Sequence, residues 1–420
     1  MSTSSSTSNG LQAESLDPRG VAARPGWTQR PLRRLLTRLL RGMACGTLVV
    51  ELPDGERVEG RGAATGPHAA ITLHRWRPLA RMLLRGDIGF AESYRDGDWS
   101  SPDLTALLEF GIRNDAGWAK VFDASAPARW AGRLLHRARA NTRRGSRQNI
   151  AFHYDMGNDF YAQWLDPDLV YSSALYATGD ETLEAAQAAK LQRIVGLLEL
   201  GRAPEAQVLE IGCGWGALAL AVADEGAHVT GLTLSSEQLA HARQRVAVAR
   251  REDQIDLRLQ DYRDVAGRFD RIVSIEMLEA VGERYWPTYF DTLRDRLAPG
   301  GVAVVQVITI ADAHFDHYRR TPDFIQRFIF PGGMLPPVSA LQSQAERAGL
   351  TLQCDVSFGL SYAATLAEWR RRFLAAWPAI EPMGFDAKFK RLWEYYLCYC
   401  EAGFLTGRVD VGLFTLRHAD

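Results

Sequence analysis

The chain has 420 residues, 46% of them hydrophobic and 24% charged. That composition is globular, and the length exceeds the roughly 250–300 residues at which single cores stop growing, so two domains are expected. A net charge of −1 argues against a general nucleic-acid binder. Five scattered cysteines without CxxC spacing exclude a disulfide framework or zinc site, and point to reduced thiols in a cytoplasm. No run of about 18 apolar residues is present to span a membrane.

Residues 1–28 read as a disordered Ser/Thr-rich tail without the apolar stretch of a secretory signal. In Arg30–Arg41, leucines 32, 35, 36, 39 and 40 share one helical face and arginines cover the rest. Such a helix suits either an anionic membrane surface or a core-facing position with a solvated basic back. Thr47–Leu52 and Glu56–Gly60, separated by Pro53-Asp-Gly55, read as a β-hairpin, with Ile71–His74 as a third strand. Helices are expected at Arg77–Leu84 and around Leu104–Phe110, and Gly86–Trp99 between them holds several glycines and aromatics. Together these form a small α+β domain over 29–125. The linker 126–148 carries seven arginines between Arg129 and Arg147 and no acid in that span, which suits phospholipid head groups or a solvated helix.

From 149 to 420 strands alternate with helices: Val208–Ile211, a helix to Ala223, His228–Leu232, a helix Ser236–Ala249, Ile255–Gln260, Arg271–Ser274, a helix Trp286–Leu297, and Val302–Ile310. This is an α/β pattern, a doubly wound, mostly parallel sheet with its ligand at the carboxyl ends of the strands. After Ile310 the pattern is helical and aromatic up to Ala402, and Arg408–Arg417 reads as a closing strand.

The first strand runs into Gly212, Gly214 and Gly216 and then a helix. Dinucleotides, S-adenosylmethionine (SAM) and plain tight turns all use such a turn. Glu210 favours SAM, because a carboxylate there can meet a charged amino-acid end. The second strand lacks an acid at its tip, which counts against NAD; Thr233 and Gln238 offer polar contacts instead. Asp261 and Tyr262 end the third strand where an adenine would lie, and Glu276 and Glu279 follow the fourth at the ligand edge.

Several motifs in order resemble the cyclopropane-fatty-acyl-phospholipid synthase family: Phe152-His-Tyr-Asp-Met-Gly-Asn-Asp-Phe160, Tyr171-Ser172, Gly212-Cys-Gly-Trp-Gly216, Gln260-Asp-Tyr-Arg-Asp264, Phe269–Ile275, Phe330-Pro-Gly-Gly-Met-Leu-Pro336 and Phe373–Pro378. The resemblance implies a class I SAM methyltransferase fold and methyl transfer to a cis double bond in an acyl chain of a membrane phospholipid. A carbocation would follow, and a bound bicarbonate would take a proton from the added methyl as the ring closes. It implies SAM contacts from Tyr171, Ser172, Gly212, Gly214, Thr233, Gln238, Asp261 and Tyr262, to which the strand–turn reading adds Glu210 and Gly216. It also implies a protein on the inner face of the cytoplasmic membrane, with a second subunit as a further partner. Phe324, Phe328, Phe330, Trp369, Phe373, Trp377, Trp393, Tyr395, Tyr396 and Phe404 offer an aromatic tunnel that shields a cation, though most are expected to be core.

The family's bicarbonate pocket maps onto Glu279, Tyr362 and the backbone of Ile308, but its Cys is Ser173 and its His is Gln306. Gln306 donates through its amide but cannot carry positive charge, and Ser173 offers only a hydroxyl. Cyclopropanation is therefore one expected outcome. Methylation with loss of another proton, giving a methyl-branched unsaturated or methylene chain, is the alternative. A methyltransferase acting on a soluble small molecule would need neither the basic segments nor the aromatic third, and the intact cofactor motif and Glu279 argue against a non-catalytic SAM- or lipid-binding protein.

Overall fold

The computed structural model describes residues 30–122, 156–203 and 205–419. The expected tail, the basic linker and the start of the Phe152 motif lie outside the described residues.

The first unit contains α1 (Arg30–Arg41), β1 (Cys45–Glu51), β2 (Arg57–Arg61), β3 (Ala64–Leu73), α2 (Arg77–Arg95), β4 (Trp99–Ser100) and α3 (Leu104–Phe122). Its sheet has the order β2-β1-β3-β4, with β1 antiparallel to β2 and parallel to β3. Leu35, Leu36 and Leu39 of α1 are buried and Arg33 pairs with Glu56, so this helix presents its apolar face to the domain core rather than to a membrane. The helix expected over Arg77–Leu84 runs on into the glycine- and aromatic-containing stretch. α2 continues through it to Arg95, because only Gly86, at φ 60° and ψ −143°, leaves helical geometry, so the helix kinks instead of ending.

The second unit runs α4 (Asn158–Ala162), α5 (Leu183–Leu197), β5 (Gln207–Ile211), α6 (Ala217–Asp224), β6 (His228–Thr233), α7 (Ser236–Val248), β7 (Ile255–Leu259), β8 (Phe269–Ile275), α8 (Leu278–Val281), α9 (Trp286–Arg296), β9 (Leu297–Ile310), α10 (Asp312–Tyr318), α11 (Phe324–Phe328), α12 (Val338–Arg347), β10 (Leu350–Ser357), α13 (Gly359–Ile380), α14 (Ala387–Leu405) and β11 (Val409–His418). The sheet order is β10-β11-β9-β8-β5-β6-β7; β7, β6, β5, β8 and β9 are parallel, while β10 and β11 are antiparallel. Period-2 side-chain alternation splits the strands between two cores. Val208, Val229, Val273 and Val304 face one, and Leu209, Leu232, Ile272 and Val305 the other. That is the doubly wound arrangement. β10 replaces part of the helical region expected after Ile310. Leu350-Thr-Leu-Gln-Cys-Asp-Val-Ser357 alternates apolar and polar residues as a one-sided strand does, and it forms by pairing on the edge with β11.

α14 joins the two units. Tyr94 donates to Glu394 at 2.9 Å, and Thr105 donates to the Glu401 carboxylate at 2.9 Å in a buried position that Arg370 also reaches at 3.2 Å. Replacing Thr105 by Val removes one of two groups that meet Glu401 Oε2 and leaves Arg370. We expect a loss of about 1–3 kcal/mol in urea unfolding, with both units still melting together; an unchanged midpoint would show that this contact does not tie the units.

Candidate active site

The glycine turn has the backbone that only glycine adopts freely. Gly212, Gly214 and Gly216 have φ of 87°, 51° and 86°. Amides of Gly212 and Cys213 both donate to the Leu232 carbonyl, at 2.9 and 2.8 Å, pinning the turn to the end of β6. A Cβ on Gly212 would lie 2.5 Å from Met277 Cγ. Gly216 caps α6 and packs on Ala242 rather than facing the cavity beside the turn.

Around that cavity stand Tyr171, Ser172, Glu210, Gly212, Gly214, Thr233, Gln238 and Tyr262, which the sequence had grouped. Thr233 Oγ1 donates to Gln238 Oε1 at 3.1 Å and accepts from the Ser235 amide, so the β6–α7 loop is held by its own side chains. Asp261 departs from its expected role. Its carboxylate is taken bidentately by Arg263, at 2.8 and 2.6 Å, and it does not border the cavity. Glu210 is 3% exposed, and its Oε2 finds no donor among the described residues. Burial pushes its carboxyl up to about 8. A cationic group entering this end of the cavity would be its missing partner.

Three of the residues expected at the chemistry, Ser173, Gln306 and Tyr362, converge, but on Glu276. β8 pairs with β9 so that Ile275 sits opposite Gln306, and the next residue, Glu276, turns out of the strand at φ 50°, its amide donating to the Gln306 carbonyl at 2.8 Å. Three donors then surround its carboxylate. Gln306 Nε2 donates to Oε1 at 2.7 Å, the Ser173 amide to Oε1 at 3.0 Å, and Tyr362 OH to Oε2 at 2.7 Å. Tyr362 is aimed by the first turns of α13 and stacks on Phe404, ring centroids 4.5 Å apart. Burial raises the Glu276 carboxyl above its ordinary range, opposed by these donors and by the charge of Lys190. Glu276 borders the cavity, whereas Gln306 and Ser173 stand behind it.

Two details correct the expected pocket. The Ser173 hydroxyl does not serve it; it donates to the Ala174 carbonyl at 2.9 Å, and only the backbone amide reaches the carboxylate. Glu279 is not part of the donor cage. Its Oε1 accepts from the Ile308 amide, and its Oε2 has no donor among the described residues. Burial, reinforced by the charge of Glu276, pushes its carboxyl up to about 8. The donors that an anion such as bicarbonate would need are thus engaged by the chain's own carboxylate, so the residues do not fit a separate anion there.

Sequence reasoning missed Lys190. It lies on α5, is 1% exposed, and donates to Ser172 Oγ at 2.6 Å. Burial pulls it down to about 8 while Glu276 and Asp166 oppose that. A lysine on a helix of mixed composition gave no signal, because its burial depends on a loop 18 residues away. Of the aromatic residues expected to line a tunnel, Phe330, Tyr395, Tyr396 and Phe404 border the cavity. Phe324, Phe328, Trp369, Phe373, Trp377 and Trp393 pack away from it.

Gly212→Ala combines a left-handed φ with the Met277 overlap. We expect a loss of about 1–3 kcal/mol in stability, and binding of S-adenosylhomocysteine (SAH) weakened by tenfold or more in calorimetry; wild-type affinity would mean the turn is not a ligand cradle.

A family model described as mycolic acid cyclopropane synthetase matches residues 141–414. The tuberculostearic acid methyltransferase UfaA1 of Mycobacterium tuberculosis is 38% identical over 417 residues, 95% of this chain and 93% of its own. The cyclopropane-fatty-acyl-phospholipid synthase of Escherichia coli K12 is 36% identical over 329 residues, 77% of this chain and 81% of its own. Among solved structures, the mycolic acid cyclopropane synthase CmaA1 complexed with SAH and CTAB superposes with a TM-score of 0.59 at 32% identity, covering 64% of this chain and 97% of that one. The glycine cradle, the parallel sheet and these matches agree: the chain is a SAM-dependent methyltransferase with the class I fold and belongs to the cyclopropane synthetase family.

Proposed function

We propose that this enzyme methylates a cis double bond in an acyl chain of a membrane phospholipid, with Glu276 as its built-in base. The observation that carries the reading is the Glu276 carboxylate, held by Ser173, Gln306 and Tyr362 on the wall of an apolar cavity that also holds the glycine turn. The alkene π electrons attack the sulfonium methyl. The C–S bond breaks with its electron pair kept by sulfur, leaving SAH and a cation on the adjacent chain carbon. Tyr396 and Phe404 border this space with π faces that favour a cation and an apolar surface that excludes water.

The added methyl carries the proton that leaves. Direct transfer of that proton to Glu276, with the C–H pair forming a C–C bond, closes a cyclopropane. If a hydride first shifts from the methylated carbon to its neighbour, the cation becomes tertiary, and loss of a proton from the methyl gives a methylene branch, R–C(=CH2)–CH2–R. We assign the methylene product, because a relative matching 95% of this chain is named for methyl transfer. Ring closure is the second reading, supported by the synthase matching 77% of it. SAM sits, on this reading, against Glu210, the glycine turn, Thr233, Gln238 and Tyr262. Attachment to the inner face of the cytoplasmic membrane and a homodimer complete the proposal; no described helix is long and apolar enough to cross a membrane.

Purified enzyme with SAM and monounsaturated phospholipid should add one CH2 to the chain and retain a double bond that hydrogenation removes. Added bicarbonate should not accelerate it; a saturated product would establish ring closure instead. Glu276→Gln should lower the rate by about 10²–10⁴. Glu276→Gly accepts the positive φ and frees the three donors, so bicarbonate should restore part of its activity. Wild-type rates in the Gln variant would remove Glu276 from the chemistry.

Glu210 supplies a pH signature. Its carboxyl is protonated in the free protein below about 8, and a ligand ammonium favours the ionised form, so binding releases a proton. Affinity for SAH should rise from pH 6 to 8 by up to about tenfold per unit, with heats that differ between buffers of different ionisation enthalpy. Glu210→Gln should bind more weakly with a flat profile; a sloped profile in that variant would assign the proton elsewhere.

A further inference from the structure

The cavity does not end in the catalytic unit. It measures about 1270 Å³, beyond the roughly 300–1,000 Å³ of ordinary small-molecule sites. One arm holds Glu276 and Tyr362. The other penetrates the N-terminal unit, where Leu39 of α1, Val50 of β1, Ile71 of β3, Leu79 of α2, and Leu107 and Phe110 of α3 border it. None of these six exceeds 7% exposure, so this arm is walled by buried apolar groups.

Polar and charged side chains border the cavity where the two units meet: Asp87 and Asp115 from the N-terminal unit, and His314, His317, Arg327 and Arg408 from the catalytic unit. Arg408 pairs with Asp115, and Asp87 lies within electrostatic reach of His317 and Arg408. The cavity is therefore apolar, then polar, then apolar. A single acyl chain threaded through it would press methylenes against charges that need water or a polar partner. A lipid with two tails and one polar head has the matching pattern.

We propose that the cavity binds one diacyl phospholipid across both units, its head group at the charged belt, its reacting chain beside Glu276 and its second chain inside the N-terminal unit. This rests on the acyl-chain reading given above and assigns a ligand site to a unit that holds no chemistry of its own. Both signs of charge in the belt suit a phosphate accompanied by an ammonium. The distribution of the N-terminal unit among relatives agrees. The mycolic acid synthase matches over 97% of its own length with only 64% of this chain, and the family model starts at residue 141. The fatty-acyl-phospholipid synthase covers 77% of this chain, more than the catalytic part supplies.

The test is photolabelling of the full chain by a phosphatidylethanolamine bearing one oleoyl chain and one palmitoyl chain with a terminal diazirine. Crosslinks should map by mass spectrometry to peptides within residues 36–112. Labels confined to the catalytic unit would overturn the proposal, as would N-terminal labels obtained only when the diazirine ends the oleoyl chain. Labelling needs no turnover, so an enzyme that binds this way yet leaves the double bond untouched would sink the methylation reading alone. As a second measurement, kcat/KM is compared for diacyl and lyso phospholipid with the same oleoyl chain in the same detergent micelles. The wild type should favour the diacyl lipid by at least about tenfold, since each buried CH2 adds to binding. Ile71→Trp and Leu107→Trp fill the N-terminal arm and should bring that ratio close to one; a ratio kept at the wild-type value in folded variants would overturn the proposal.

Discussion

A carboxylate inside an apolar cavity is costly unless it is met by donors, and the catalytic unit is arranged to meet the one on Glu276. The donors come from three places far apart in sequence: the loop after Tyr171, the end of β9, and the start of α13. Each is supported in turn. Gln187 on α5 holds the Ser172 carbonyl at 3.0 Å, Thr365 on α13 accepts from the Ala174 amide at 3.1 Å, and Asp410 of β11 accepts from the Gly359 amide where α13 begins. Lys190 adds a buried positive charge to the same neighbourhood. A carboxylate held by three donors in low dielectric is rigid, and a rigid carboxylate can stand where a mobile anion would otherwise have to be captured.

The antiparallel edge of the sheet matters for the same reason. β11 lies beside β9 and places Leu413 opposite Gln306, so the strand carrying Gln306 is interior rather than exposed. Gln306 is fully buried with its amide nitrogen committed to Glu276. α14, which precedes β11, also carries Tyr396 and Phe404 on the cavity and Glu401 at the N-terminal unit. One helix therefore serves the acyl side of the site and the junction between units.

The parts of the molecule governed by local pattern were legible in the sequence. Strand–helix alternation from Val208 to Ile310 matches the observed elements to within a few residues at most ends, and Leu297, Ala298 and the glycines before Val302 extend β9 beyond its expected start. The glycine turn, Glu210 and the Thr233–Gln238 pair lie where strand order and turn chemistry place them. α1 was ambiguous, since an apolar stripe opposite arginines suits a membrane or a core equally, and only its contacts with the rest of the unit decide. β10 was missed although Leu350, Leu352, Cys354 and Val356 alternate with polar residues, a strand signal passed over inside a region read as helical.

The sequence by itself determined the architecture and the glycine turn with the polar residues around it, because hydrophobic periodicity and glycine conformations are local properties that any context must respect. The tertiary structure decided which acid faces the cavity from within a cage of donors. Glu276 and Glu279 are three residues apart and chemically identical, and nothing local distinguishes them. Register between β8 and β9 brings Gln306 to Glu276, the Ile308 amide takes Glu279, and the long-range approach of α13 brings Tyr362 to the former. The joining of the N-terminal unit's interior to the active-site cavity was likewise beyond reach of the sequence, since it depends on how α2 and α3 meet α14 and not on any motif within them.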